Sequence, residues 1–595
     1  MAHTFHNKES IIDLFIKQLH NRKDQPIVIG NNYYKTYNDI YCQLLKIASY
    51  IKVNISGSTN VIGIYLIDNI NLLPIMLSII STGNTFVLLD PLDSKNTLNY
   101  KIIAAKVTII ISDNIDCRKI NKTIIVNLKE ILNSSLPSKT LEIQPISPSK
   151  PIYILFTSGS TGSPKGILVS EKSLLNRLYW MWETYPFDQS EVLCQKTNIT
   201  FVDSMWEIFG GILQGIPTVY MPSDYLFDTE DFINFIKQHS VTRITLTPSF
   251  VLQLLENKDF CMEQLPSMKI LMLSGEALLT SLAKHLVSRF PYINLLNLYG
   301  SSEVAGDVTF YEYKTNNLEN FIVVPLGIPI INTKIYLLNN KLQPVTEGKI
   351  GEIYVSGANL ALGYLDIEQT KKSFINHKLN NNSREELLFK TGDLGQFLSN
   401  GILKYCGRSD RQIKYKGIRI DPAEIENCLL QREDIKVAAV ILQESESYNE
   451  QKLIAFVQAK QGYNTDVKDL KLYLQDRLNK RIVPNYIILL KNFPYLSSGK
   501  IDYRSLAKIK PTITNKDKLN TNPCELESSI IRIWEEVLKV KVTINDNFFE
   551  LGGDSLHSIR VLSRIRKQLQ IKLSIHDIFN FPTIKELATL IQTKL

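Results

Sequence analysis

The chain has 595 residues, of which 44% are hydrophobic and 21% charged, with a formal net charge of +8 at neutral pH. That length is too great for one ordinary core and predicts three or more domains, with the composition of a globular, soluble protein. The longest apolar runs, such as LLPIMLSII at 72–80, stop short of the roughly 20 residues that a bilayer-crossing helix needs, and the start MAHTFHNKESII lacks a basic region leading into an apolar run, so a cytoplasmic protein with no membrane association is expected.

The first 400 residues alternate short Ile/Val/Leu-rich runs with helical patterns, as α/β layers do. VIGIYLI at 61–67, TFVLLD at 85–90, KVTIIIS at 106–112 and KILMLSG at 269–275 are the clearest of these runs, and several are apolar on both faces, which favours strands covered on each side by helices. PIYILF at 151–156 reads as a further strand that feeds directly into TSGSTGSPKG. There Gly159, Gly162 and Gly166 permit close approach of the backbone to a ligand. Thr157, Ser158, Ser160, Thr161 and Ser163 add hydroxyl donors, and Lys165 adds a mobile positive charge, a set suited to the triphosphate of ATP. The spacing is not that of a Walker A loop.

From Gly351 the glycine spacing and alternation of GEIYVSGANLALGYLD suit a β-rich subdomain, and a smaller α/β unit follows from Asp410 to about Leu506. A Lys/Asn/Thr/Pro linker then leads to a helical module. Helical periodicity runs through 524–540, 555–569 and 584–592, with Leu556, Ile559, Leu562, Ile565 and Leu569 sharing one face, so a small bundle is expected. Ser555 sits at a helix start behind Gly552, Gly553 and Asp554, where a serine caps the helix and where an attached phosphate is also favoured. The seven cysteines, at 42, 117, 194, 261, 406, 428 and 524, form no zinc or redox spacing. No arginine-rich stripe interleaved with aromatics marks nucleic-acid binding.

LFTSGSTGSPKG at 155–166, NLYGSSE at 297–303, GEIYVSGANLALGY at 351–364, FKTGD at 389–393, GRSDRQIKYKGIRIDPAEIE at 407–426, SSGKID at 497–502 and DNFFELGGDSL at 546–556 follow one another in order. Together they resemble the adenylation and peptidyl-carrier domains of nonribosomal peptide synthetases, within the acyl-adenylate-forming superfamily. The resemblance implies an α/β fold with a large multi-layer N-terminal adenylation region carrying a β-rich subdomain, a small mobile α/β C-terminal subdomain and an all-helical carrier bundle. The corresponding division is 1–408, 409–507, a linker at 508–522, and 523–595.

By the same resemblance Ser302 touches the nucleotide phosphate, Glu303 helps to hold Mg2+, and Tyr299 stacks beside adenine. Asp393 grips the ribose diol, a role suited to a carboxylate because it accepts two hydrogen bonds. Arg408 contacts the ribose, Asp410 is the hinge of the small subdomain, and Lys500 reaches the reacting carboxylate and α-phosphate, where an ammonium group stabilises developing negative charge. Ser555 carries 4'-phosphopantetheine, supplied by a phosphopantetheinyl transferase. The reaction implied is attack of a small carboxylic acid on Mg-ATP to give acyl-AMP, followed by transfer to the carrier as a thioester and then to a downstream condensing or acyl-accepting enzyme. The chain is expected to act as a loading module.

Amino-acid-activating relatives often read F-D-x-S-x-W-E where this chain has FVDSMWE, with Val202 in place of the aspartate that binds the α-ammonium group and Asp203 one residue later. The family's pocket positions correspond to Val202, Asp203, Trp206, Thr245, Met272, Ser274, Leu298, Gly306 and Asp307, with Lys500. The set resembles pockets for β-alanine and similar β-amino acids, whose ammonium lies one carbon further from the carboxylate, where a displaced Asp203, helped by Asp307, is expected to meet it. An α-keto or hydroxy acid is the chemical rival, and a degenerate scaffold that only presents the carrier is the rival of another class.

Overall fold

A computed structural model describes residues 9–31, 33–55, 57, 60–113, 119–120, 123–134, 147–158, 164–255, 257–314, 321–379, 384–409, 411–415, 417–444, 451–463, 465–494, 501–509, 523–538, 540–548, 551, 553, 555–571, 573, 577–578 and 581–594. Two compact units divide the chain: Met1–Gly159, Ser163–Met221 and Ile233–Ile420 make the first, and Ser160–Gly162, Pro222–Phe232 and Asp421–Leu595 the second.

In the first unit the apolar runs form two large sheets. Strands Val61–Tyr65, Thr85–Leu88 and Val107–Ser112 are parallel neighbours, and Pro151–Thr157 joins the Thr85–Leu88 side of the same eight-stranded sheet. Most of their side chains are buried on both faces, as the apolar runs require, with Thr108 exposed. The helix Leu72–Ser81 between the first two of these strands is buried along its whole length. Entry into the flanking helices Ile11–Arg22 and Tyr37–Asn54 is set by capping boxes, Ser10 with Asp13 and Thr36 with Asp39.

The second sheet has nine strands, and its centre runs Leu193–Gln195, Arg243–Leu246, Ile270–Leu273 and Asn294–Ser301, all parallel. Strand Gly306–Tyr313 folds back antiparallel on Asn294–Ser301. The crossing is tight: a Cβ on Gly300 would sit 1.7 Å from the Gly306 carbonyl oxygen, and Gly306 has φ +113°. Only glycines fit there, and the close approach shapes the 3-10 turn Ser302–Val304 between the two strands. A single apolar core takes side chains from both sheets and from the helices beside them.

A five-stranded antiparallel sheet contains Thr333–Leu338, Ile350–Gly357, Glu386–Phe397, Phe374–His377 and Leu403–Arg408. This is the β-rich texture expected after Gly351. A two-stranded ribbon, Ile413–Tyr415 with Ile418–Ile420, completes the first unit.

The second unit holds a three-stranded sheet of Ile435–Glu444, Gln451–Ala459 and Tyr486–Leu489, with helices Pro422–Leu430 and Val467–Arg477. It also holds helices Glu525–Leu538, Ser555–Leu569 and Ile584–Lys594. Their apolar faces close on Trp534 and Phe548, with ring centroids 4.8 Å apart and edge to face. Of the stripe expected on the second of these helices, Leu562 and Ile565 are buried and Leu569 is partly buried, while the Leu556 and Ile559 side chains lie outside the described residues. Among the described residues no helix is long and apolar enough to cross a membrane and no His/Cys/Asp/Glu cluster could hold a metal. The six described cysteines are free thiols.

Candidate active site

Two groups of side chains in the first unit gather around the strands Asn294–Ser301 and Gly306–Tyr313. The first is built on Asp393, whose strand Glu386–Phe397 pairs with Leu403–Arg408 so that Asp393 and Arg408 are direct partners in register. Arg408 donates from Nη1 to Asp393 Oδ1 at 2.5 Å, and the Tyr299 hydroxyl donates to Oδ2 at 2.7 Å. Burial, with the Asp393 charge beside it, holds the Tyr299 phenol well above its ordinary value, so the hydroxyl remains a donor. Arg408 also reaches Gln412, which in turn accepts from Arg419 Nε at 2.6 Å. Each Asp393 oxygen keeps a lone pair after these contacts, so the carboxylate still fits a ribose diol.

Glu303, on the turn after Tyr299, is buried. Burial alone would push its carboxyl up. Arg419, with hydrogen bonds from the backbone, Ser301 and Tyr364, overcomes that and leaves it below its ordinary value. Tyr364 donates to Glu303 at 2.9 Å and Arg419 Nη1 lies 3.4 Å from it. An ionised buried carboxylate of this kind suits a hard cation such as Mg2+. Ser302, beside it on the same turn, is half-buried.

Lys414 lies over the Tyr299 ring, 5.5 Å from its centroid, and desolvation lowers its pKa against the opposing pull of Asp393. Sequence reasoning missed Lys414, Arg419 and Tyr364. All three lie within the ordered motif segments, but nothing in their spacing marks them as facing Tyr299 or Glu303.

Thr157 ends its strand paired with Lys165 at the start of the next, and the Ser158 hydroxyl donates to the Arg419 carbonyl. Gly159, Ser160, Thr161, Gly162 and Ser163 lie outside the described residues, as do Asp410 and Lys500. Ser555 opens a 15-residue helix, and its side chain lies outside the described residues.

The second group collects the expected pocket positions. Asp203 is the first residue of the short helix Asp203–Phe209, and Val202 precedes it. Thr245, Met272 and Leu298 are buried on adjacent strands, with Thr245 and Met272 paired in register and the Thr245 hydroxyl 3.9 Å from the Met272 sulfur. Ser274 is buried just past the strand Ile270–Leu273. A Cβ built on Gly306 would lie 3.9 Å from Val202 Cγ2 and 3.7 Å from Arg177 Cγ. The buried Arg177 donates from Nε to Asp307 Oδ2 at 2.6 Å, and its guanidinium lies 4.8 Å and 4.9 Å from the Trp180 and Trp206 rings. Arg177 is the principal pocket neighbour that sequence reasoning missed; an arginine in a helix otherwise rich in apolar residues was its only signal.

Asp203 is half-buried and, among the described residues, makes no side-chain hydrogen bond or ion pair. Burial, then the Asp307 and Glu207 charges, push its carboxyl up to about 7 against Arg177 and Lys196. Glu207, one turn on, is occupied by the Lys196 and Thr197 amides at 3.0 Å and 2.8 Å and by the Thr197 hydroxyl at 2.8 Å.

The AMP-binding enzyme family matches residues 15–365, and the phosphopantetheine attachment site family matches residues 528–591. A mycosubtilin synthase chain of Bacillus subtilis is 31% identical over 99% of this chain and 23% of its own length. Vanchrobactin synthetase VabF of Vibrio anguillarum is 30% identical over 98% of the chain and 21% of its own. The chain thus spans less than a quarter of these relatives. A holo nonribosomal peptide synthetase protein with adenylation and PCP domains, solved with a vinylsulfonamide inhibitor, superposes with a TM-score of 0.80 at 20% identity, covering 98% of this chain and 96% of that one. The chain belongs to the AMP-binding enzyme family, as an adenylating ligase that uses ATP and Mg2+, and carries a phosphopantetheine attachment domain after the matched region.

Proposed function

We propose that this enzyme activates β-alanine or a related β-amino acid and loads it on its own carrier domain. The observation that carries the reading is Asp203: a half-buried carboxylate with no side-chain hydrogen bond or ion pair among the described residues, its pKa raised to about 7 by burial and by the neighbouring Asp307 and Glu207 charges. Such a group is relieved by an incoming ammonium. Val202 removes the carboxylate from the position that serves α-amino acids, and Asp203 offers it one residue later. Trp206, Met272 and Leu298 are buried and limit the length of side chain that fits.

At the reacting end, Asp393 and Arg408 hold the ribose, with Tyr299 beside the base. Ser302 would contact a phosphate and Glu303 would help to hold Mg2+, while the hydroxyls of the segment 157–165 and Lys165 would take the triphosphate. Lys500 neutralises charge as the acid's oxygen attacks the α-phosphorus and pyrophosphate leaves, giving acyl-AMP. When attached to Ser555, 4'-phosphopantetheine supplies the thiol that accepts the acyl group as AMP departs. Asp410 is the hinge between the proposed regions 1–408 and 409–507, with 508–522 the tether of the carrier at 523–595. A phosphopantetheinyl transferase and a downstream acyl-accepting enzyme are the partners this chemistry demands, and the cytoplasm, where ATP and coenzyme A are at hand, is the proposed location.

Intact-protein mass spectrometry of the holo chain tests the reading. Incubation with ATP, Mg2+ and β-alanine should add the mass of one β-alanyl group. Acylation by an α-keto or hydroxy acid in preference to every β-amino acid would sink it, and no acylation by any acid would favour the scaffold.

A further inference from the structure

Among the described residues, the charged groups that act most on Asp203 are Asp307, Glu207, Arg177 and Lys196. Glu207 lies 3.6 Å from Lys196, and Asp307 is bound by Arg177 at 2.6 Å, with side-chain exposures of 3% and 4% for that pair. The two neighbouring carboxylates therefore each have their own cation, and one negative charge, that of Asp203, is left over. Arg177 is held in place from several sides: its guanidinium contacts Trp180 and Trp206, and Trp206 stacks on Phe187 with ring planes 5° apart. Phe187 is backed by Arg243, itself paired with Glu191. Arg177 Nη1 is buried and has no hydrogen-bond partner among the described residues, so this cation is retained at a cost that packing alone does not explain.

We infer that Arg177 is a specificity-determining residue that sets the pocket's charge at one uncompensated negative, so that the site accepts acids bearing one ammonium and rejects both amine-free acids and diamino acids. The inference rests on the proposed pocket. Its physical basis is the price of an unpaired buried charge, which discriminates far better than an extra methylene does. Without Arg177 the site would carry two free carboxylates and favour a dication. Without the Asp307 charge it would be neutral.

The test is ATP–pyrophosphate exchange on the full chain with matched acids: 3-aminohexanoate against its isostere 3,5-diaminopentanoate, and β-alanine against 3-hydroxypropionate. In Arg177→Met the preference for the monoamine over the diamine should fall by about tenfold or more. In Asp307→Asn the preference for β-alanine over 3-hydroxypropionate should fall by about tenfold or more. Arg177→Met combined with Asp307→Asn should return both ratios to within about threefold of wild type, because the charge count is restored. Ratios within one protein are insensitive to its folded fraction, and Asp307→Asn carries the test if Arg177→Met does not fold. Unmoved ratios in an Asp307→Asn protein that still exchanges β-alanine would overturn the inference while leaving the β-amino acid reading intact. A wild-type enzyme silent with every amine would overturn both.

Discussion

Tyr299 and Asp393 share a short buried hydrogen bond, 2.7 Å from the phenol oxygen to Oδ2, across 94 residues of sequence. The bond fixes one carboxylate oxygen while Arg408 fixes the other, so the fold itself sets the carboxylate plane for the proposed ribose contact. Preorganisation of this kind lowers the ordering cost of binding.

Asp393→Asn keeps the shape of this group but removes its charge and one acceptor oxygen. Exchange kinetics should show kcat/KM for ATP reduced by about 10- to 100-fold. Tyr299→Phe, which loses only the positioning hydrogen bond, should cost about threefold to tenfold, with KM for ATP carrying most of the change.

The Asp203 carboxyl, raised to about 7, is neutral below that pH in the free enzyme and ionised above it. A cationic substrate needs the ionised form, so its KM should climb as pH falls, by about tenfold per pH unit below that value. Asp203→Asn should remove this limb of the profile together with most of the activity toward amines, measured by exchange across a pH series with ATP saturating.

The same shift has a sign for stability. A carboxyl whose folded pKa is raised above its unfolded value destabilises the fold once it ionises; the penalty is absent below the ordinary carboxylate range and grows until pH passes about 7. Asp203→Asn should therefore raise the Tm of the ligand-free protein at alkaline pH by roughly 1–3 °C. The gain should shrink as the melts are repeated at lower pH.

Ser555 opens its helix, where an attached phosphate is favoured. Ser555→Ala should abolish both the mass increase on phosphopantetheinylation and the acylated species. Its ATP–pyrophosphate exchange rate should stay within about twofold of wild type, since that half-reaction does not use the carrier.

Much of this architecture was legible in the chain because its signals are local. Doubly apolar runs such as 107–112 became strands, and the 3.6-residue period after 524 became helices. The motifs also singled out Asp393 and Glu303, but not what holds them. The contact of Arg419 with Glu303 spans 116 residues and that of Arg177 with Asp307 spans 130. No periodicity encodes such pairs, since they arise only when strands from different parts of the chain are set side by side. The shifted aspartate was visible as a change of one position in F-V-D-S. That its neighbour Asp307 is already paired with Arg177 was not.

The most direct measurement is ATP–pyrophosphate exchange with the purified chain over β-alanine, other β-amino acids, α-amino acids, keto acids and aryl acids, repeated with Asp203→Ala. A dominant β-alanine signal that collapses in the variant is the expected result. A dominant signal for an amine-free acid, or a β-alanine signal indifferent to the loss of Asp203, would contradict the assignment of that carboxylate as the ammonium's partner.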